Sequence, residues 1–503
     1  MVQIRRFRGQ RRHMPYNPLV DLVIGVPALQ REQGKRRSFL RCPQLSADSA
    51  LGHVTINVLS DDDLREVFYH CHVNNANLFT WMWQPLVHVC QRWRRVVFAS
   101  PHYLHLQLLC NNKTPARDSL DIWPPLPIVL SYQPDYVNGD QNIIAALEHQ
   151  GRITKINFPK ISRSVLERLS PFMQEPLPAL TELDLSGTSV PVLPEAFLGG
   201  SAPCLQSCTL RDIAFPGLPK LLASTSQLVR LLLHDLPASG YIPPDAMGSC
   251  LATLPNLNRL IIEFRPPTSR PRLTDPPPAR DILPSLTHFH FTGHGEYLED
   301  LVARIDAPCL HHFTVTFTVD FDFIASQLVR FISRSERIKD LHRSDRPVEL
   351  DPWSVRMSDE LGGHLELGIR YNASSWELES LEQLCNNLSP LLSQVEQLRI
   401  CKDASCRVQP AADMECTQWL NIFLPFTAVY YLDVSMEMAS VVIDALGELT
   451  RDDHRSGEVL PELGRMCFDS LDSSVCDEKV LDNFISDRRE YADRKIDVME
   501  RLG

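Results

Sequence analysis

The sequence predicts an α/β fold: a small helical module followed by an irregular solenoid, a curved parallel sheet with outer helices. Three observations carry that prediction. A six-residue apolar pattern recurs from residue 153 onward. Helix-forming stretches lie between its copies, and a pair of amphipathic segments precedes them all. At 503 residues, 44% hydrophobic and 22% charged, the chain has the length for several domains and the apolar content for a large core.

The first fifty residues carry ten Lys/Arg against three Asp/Glu, while the whole chain has a net charge of −12. Arg5, Arg6, Arg8, Arg11 and Arg12 precede Pro15 and Pro18, and Lys35, Arg36 and Arg37 form a second cluster. Residues 1–50 are therefore expected to be a basic, disordered tail, with a nuclear-localisation signal or a mitochondrial presequence as alternative readings. No apolar h-region marks a secretory signal. The 14 cysteines show no CxxC pair, so reduced thiols in the cytoplasm or nucleus are expected.

From Val54 the character changes. Ser60 supplies a helix N-cap, and Asp61, Asp62 and Asp63 follow where the helix dipole favours negative charge. Leu64, Val67, Phe68 and Cys71 then recur at i, i+3, i+4 and i+7, one apolar face. Leu86, Val89, Cys90, Trp93 and Val97 are expected to share a face of a second helix, with Arg92, Arg94 and Arg95 opposite and Ser100-Pro101 as its stop. A bundle of some fifty residues buries little surface by itself, so part of its apolar face is expected to await a partner.

Beyond Trp123 the pattern L-x-x-L-x-L takes over. Its copies begin at Ile153, Leu180, Leu205, Leu228, Leu257, Leu286 and Leu310, then at Val395, Val429 and Leu463. The early intervals are 27, 25, 23, 29, 29 and 24 residues, within the period of leucine-rich repeats, and the late ones are 34. Each copy reads as a short strand with alternate side chains turned inward. Between copies lie helical stretches such as Phe215 to Ser224, Glu296 to Ile305 and Leu378 to Leu392. The solenoid is assigned to 110–480, and 481–503 is read as a C-terminal helical tail. Arg265 to Arg280 holds six prolines and is expected to be a looped-out insertion. Thr188, Ile213, Leu236 and His294 stand where an Asn or Cys ladder would follow each strand, so irregular loops are expected. Residues 320–365 are the least readable, with a helix near Ile324 to Ile332 and a strand near Leu365 to Ile369.

The segments Leu59-Ser-Asp-Asp-Asp-Leu64-Arg-Glu-Val67-Phe68 and Leu86-Val-His-Val89-Cys90-Gln-Arg-Trp93-Arg-Arg-Val-Val97, with Ser100-Pro101-His-Tyr103-Leu104 after them, resemble an F-box. The Cys-x-x-Trp core followed by Ser-Pro and an aromatic is similar to F-box proteins abundant in mushroom-forming fungi, where an F-box precedes irregular leucine-rich repeats. The F-box-like module is assigned to 54–105. Ser60 stands where that family has proline, and the linker from Val73 to Pro85 is long. The resemblance implies a substrate-recognition adaptor of a cullin-RING (SCF-type) ubiquitin ligase. It places Leu59, Leu64, Val67, Phe68, Leu86, Val89, Cys90, Trp93 and Val97 at the Skp adaptor subunit.

Residues alternating with the inward leucines project from the sheet: Glu182, Asp184, Arg230, Arg259, His288, His290, His312, Arg399, Tyr431 and Asp433. Concave sheet faces are the usual recognition surfaces of such arrays. The expected ligand is a protein substrate of unknown identity, since an acidic, broad, pocket-poor surface suits neither nucleic acid nor a small molecule. No stretch approaches the roughly 20 apolar residues of a membrane span. Phosphate loops and nucleophile elbows are missing, and His288, His290 and His294 lack a fourth metal ligand at matching spacing. No enzymatic activity and no cofactor are expected.

Overall fold

A computed structural model describes residues 5–8, 56–73, 83–113, 116–134, 139–265, 279–318, 325–370, 378–401, 416–449, 457–469, 478–491 and 495–502. The expected proline-rich loop falls almost wholly outside the described residues.

The helical module comprises α1 (Asp61–Val73), α2 (Gln84–Val87) and α3 (Gln91–Ala99). Ser60 Oγ accepts from the Asp63 N–H at 3.1 Å, and the Ser60 N–H donates to Asp63 Oδ2 at 2.9 Å. This reciprocal cap satisfies two otherwise orphan donors, and it holds the Asp63 carboxyl below its usual range. The second expected helix is in fact two. His88 closes α2, and Cys90 is extended (φ −157°), its Sγ accepting from the Trp93 N–H. Val89 and Cys90 therefore leave the common face assigned to them and stand exposed at the break. Leu64, Phe68 and Val97, being at most 1% exposed, belong to the core of the module. Leu64 and Phe68, at i and i+4 of α1, turn toward α3, where the Phe68 and Trp93 rings meet at 4.8 Å, while Val67 between them stays exposed.

The repeats form one long, nearly parallel sheet, preceded in sequence by β1 (Arg5–Arg8). The ascending strands are β2 (Leu108–Asn111), β3 (Ile128–Ser131), β4 (Ile153–Ser162), β5 (Glu182–Thr188), β6 (Ser207–Arg211), β7 (Arg230–Leu236) and β8 (Arg259–Phe264). A minor pair, β9 (Asp281–Ile282) and β11 (Ile305–Asp306), stands apart from the main sheet. The main sheet continues through β10 (His288–Gly293) and β12 (His312–Phe317). Register is set by two apolar rows. Leu183, Cys208, Leu231, Leu260, Phe289 and Phe313 pair across successive strands, as do Leu185, Leu210, Leu233, Ile262, Phe291 and Val315. All twelve are at most 1% exposed, and a one-residue slip would turn both rows to water.

Helices cover that apolar face. Phe331, on the helix Ser326–Arg334, lies 5.5 Å from the Phe313 ring. Glu299, buried on the helix Gly295–Arg304, accepts the N–H groups of Gln327 and Leu328 at 2.9 and 2.8 Å. One helix thus caps the start of the next, because the first N–H groups of a helix have no partner of their own. On the opposite face of the sheet the alternating side chains, such as Arg230, Arg259, His288 and His312, are exposed or half-buried.

The unreadable region holds the main departure from a simple ladder. β13 (Val348–Asp351), β14 (Ser354–Ser358) and β15 (His364–Ile369) form an antiparallel meander placed in reverse order. β15 pairs with β12, while β13 pairs with the later strand β16 (Gln397–Ile400). The chain therefore steps past two strand positions and fills them on its way back. Beyond β16 the parallel ladder resumes through β17 (Tyr431–Val434), β18 (Arg465–Phe468) and β19 (Asp497–Leu502).

Two boundaries differ from expectation. The solenoid begins at Leu108, and the segment 481–503 is not a wholly helical tail. After the helix Glu478–Tyr491 it adds β19, whose Val498 is buried in register with Met466. At the other end Arg5–Arg8, within the expected disordered tail, pairs with β19 in parallel.

Candidate functional site

The open face of the sheet displays one side chain per strand at each register position, about 4.8 Å apart. One row reads Glu182, Ser207, Arg230, Arg259, His288, His312 and His364 from β5 to β15. The next reads Asp184, Thr209, Leu232, Ile261, His290, Thr314 and Glu366. Both follow from strand alternation against the buried apolar rows.

These positions behave in three different ways. At the N-terminal end Glu182 is neutralised by Lys155 at 2.9 Å, and Asp184 is exposed. In the middle, Arg230 and Arg259 are exposed and make no ion pair among the described residues. Beside them His288 and His312 stack with ring centroids 4.4 Å apart and planes 19° apart, and His312 meets His364 at 6.1 Å. At the C-terminal end Arg399 reaches Asp433 at 3.7 Å and Asp469 at 3.8 Å. Asp433, in register with Arg399 but only 3% exposed, takes part in this internal pairing. Tyr431 is half-buried beside them.

The central histidines are electrostatically distinct. Partial burial lowers the His288 pKa from its ordinary value, helped by His312, Arg259 and His311. Burial also lowers that of His312, with His364, His311 and Arg259 acting in the same direction. A second centre lies one row on. Glu263 Oε2 is 2.9 Å from His234 Nδ1, and its Oε1 is 3.2 Å from His290 Nε2. Hydrogen bonds from these two histidines hold the Glu263 carboxyl well below the usual range. Arg259, His288, His290, His312 and Thr314 also border an open depression of about 270 Å³.

Sequence alternation identified Arg230, Arg259, His288, His290 and His312 but not Thr314, His364, His234 or Glu263. A signal existed for His364: three strands open as His-apolar-x-apolar, at His288-Phe-His-Phe, His312-Phe-Thr-Val and His364-Leu-Glu-Leu. Among the described residues no group of three or more His, Cys, Asp or Glu is placed to hold a metal ion. His294, close in sequence to His288 and His290, is buried ahead of the helix Gly295–Arg304. Among the described residues, too, no helix is long and apolar enough to cross a membrane.

The second candidate surface is on the helical module. Its core uses Leu64, Phe68, Val87, Val96 and Val97, all at most 4% exposed, yet Ile56, Val58, Val67 and Val89 remain 46%, 73%, 43% and 59% exposed. Arg92 donates to Asp61 Oδ1 at 2.8 Å and to the Leu59 carbonyl at 2.6 Å. Those bonds fasten the start of α3 to the start of α1, which brings Val58 and Val89 to the same end of the module. Leu59, Leu86 and Trp93 are half-buried there. Trp83 ties the module to the solenoid, its Nε1 donating to the Gln107 carbonyl at 2.9 Å.

No family model matches the sequence, and no curated protein matches it. Among solved structures the chain is similar to the leucine-rich repeat-containing protein LegL7 from Legionella pneumophila, at 12% identity and a TM-score of 0.25. That likeness covers 75% of this chain and 97% of the other, and at so low a score it describes no shared overall shape. The leucine-rich repeat character of the solenoid rests on its own strands: recurrent, in register, and lined inside by the repeated leucines.

Proposed function

We propose that this chain is a protein-interaction scaffold acting as the substrate-recognition adaptor of an SCF-type ubiquitin ligase, the helical module docking on the Skp adaptor and the open sheet face holding a protein substrate. The observation that carries the reading is the division of apolar residues in the module. It already has a closed core, yet it leaves four large aliphatic side chains in water. Scattered exposed aliphatics are ordinary. Four within some 35 residues, in segments that resemble an F-box, fit a docking surface better than a solvated one.

Burial changes which of the expected contacts take part. Leu59, Leu86 and Trp93 keep accessible surface, and Val67 and Val89 are exposed. Cys90 is exposed and adjoins Val89. Leu64, Phe68 and Val97 support the surface from beneath. The test is capture of the purified Skp adaptor by the full chain and by a Val58→Asp/Val67→Asp/Val89→Asp variant. Wild type is expected to bind at about micromolar affinity or better, and the variant to lose at least about tenfold with its thermal unfolding unchanged. Equal binding by both would overturn this assignment of the surface. Absence of binding by either would leave an interaction scaffold unconnected with a ligase. Phe68→Ala is unsuitable as the main probe, since emptying that core position costs about 3–5 kcal/mol of stability.

A further inference from the structure

We infer that the central strip of the open sheet face, Arg230, Arg259, His288, His312 and His364, is a binding site for an extended acidic segment of a partner protein. The inference rests on the reading above that this face holds a protein, and it adds the chemistry of what is held. The charge pattern is its first support. The chain as a whole is acidic, at −12. Yet one register row across five neighbouring strands, β7 to β15, carries two arginines and three histidines and no carboxylate.

The second support is pairing. Elsewhere on this face opposite charges neutralise one another, as in Lys155 with Glu182 and Arg399 with Asp433 and Asp469. In the strip, Glu263 is engaged by His234 and His290, and Glu366, 3.5 Å from His364, reaches only the end of the row. Arg230 and Arg259 thus have no ion pair among the described residues. His288 touches Thr287 Oγ1 at 2.8 Å and stacks on His312, with His311 and Arg259 the other charged or titratable neighbours. Protonating either stacked ring beside Arg259 is unfavourable unless an anion arrives, and an acidic ligand supplies it.

Geometry sets the form of the ligand. Five side chains at about 4.8 Å intervals span about 19 Å. An extended peptide crossing the strands at about 3.3 Å per residue covers that length with some six residues, and alternate carboxylates face the sheet. Nucleic acid is the less favoured polyanion, because the row carries only two permanent charges and the protein around it is acidic.

The experiment uses the intact chain and two labelled probes, a hexaglutamate peptide and a decauridylate RNA, each titrated at about pH 6 and about pH 8, on either side of the histidine range. Expected is saturable peptide binding, tighter at the lower pH, weakened about tenfold by Arg230→Ala/Arg259→Ala, with its pH dependence reduced by His288→Gln/His312→Gln and removed when His364→Gln is added. The inference fails if the peptide does not saturate, if the arginine variant binds it as wild type does, or if RNA is bound in preference. Skp adaptor capture is measured on the same preparations. Capture lost while peptide binding persists sinks only the ligase reading, and the converse sinks only the acidic-segment site.

Discussion

At the scale of single residues, the strip couples stability to pH as well as to ligand. His288 and His312 titrate below the ordinary 6.5 in the folded chain, because burial and nearby cations disfavour their charged forms. Between those lowered values and 6.5 the unfolded chain binds protons that the folded chain does not. Their contribution is therefore intact above 6.5 and falls as pH drops below it. Glu263 is the opposite case: its carboxyl is depressed by His234 and His290, so its stabilisation is present above the unfolded carboxylate value and fades only at stronger acid. Urea midpoints measured from about pH 8 to about pH 5 should decline for wild type, and His288→Gln/His312→Gln should flatten that decline. A parallel decline in both proteins would show that these rings do not govern it.

At the scale of elements, the reversed meander depends on one buried carboxylate. The β13–β14 turn is the two-residue Pro352-Trp353 link, and Asp351, 1% exposed, accepts from the Trp353 and Ser354 N–H groups at 2.8 and 2.7 Å. It also takes the Ser354 hydroxyl at 2.9 Å and Arg356 at 2.6 Å. Asp351→Ala removes all four acceptor contacts at once, and a loss of about 3 kcal/mol is expected in chemical denaturation. A change under about 0.5 kcal/mol would mean the turn is held by the sheet alone. The same meander marks the limit of what could be read from sequence. Every L-x-x-L-x-L copy from Ile153 to Leu463 corresponds to a strand, because three leucines at that spacing demand an inward row. β13 and β14 have only the alternations Val348/Leu350 and Val355/Met357 with no leading leucine, so nothing local announces them or their order. β19 was hidden for the same reason. The α2–α3 break was missed because Leu86, Val89, Cys90, Trp93 and Val97 keep helical spacing through it. Only the backbone at Cys90 reveals that the period is interrupted.

At the scale of the whole molecule, a solenoid separates tasks along its length, since each repeat packs chiefly on its neighbours. Here the described chain has a helical module at one end, a His–Arg strip in the centre whose two arginines make no ion pair among the described residues, and a self-paired stretch near β16 to β18. Outward positions on the open face were legible from alternation. Which of them pair internally was not, because Arg399 with Asp469 and Arg356 with Asp351 meet only once the strands are ordered. The module's docking role is the central claim, and hydrogen exchange on the intact chain with and without purified Skp adaptor tests it most directly. The account predicts slower exchange in 56–73 and 83–99 and unchanged exchange along β6 to β15. Protection confined to the sheet face, or none anywhere at saturating adaptor, would contradict it.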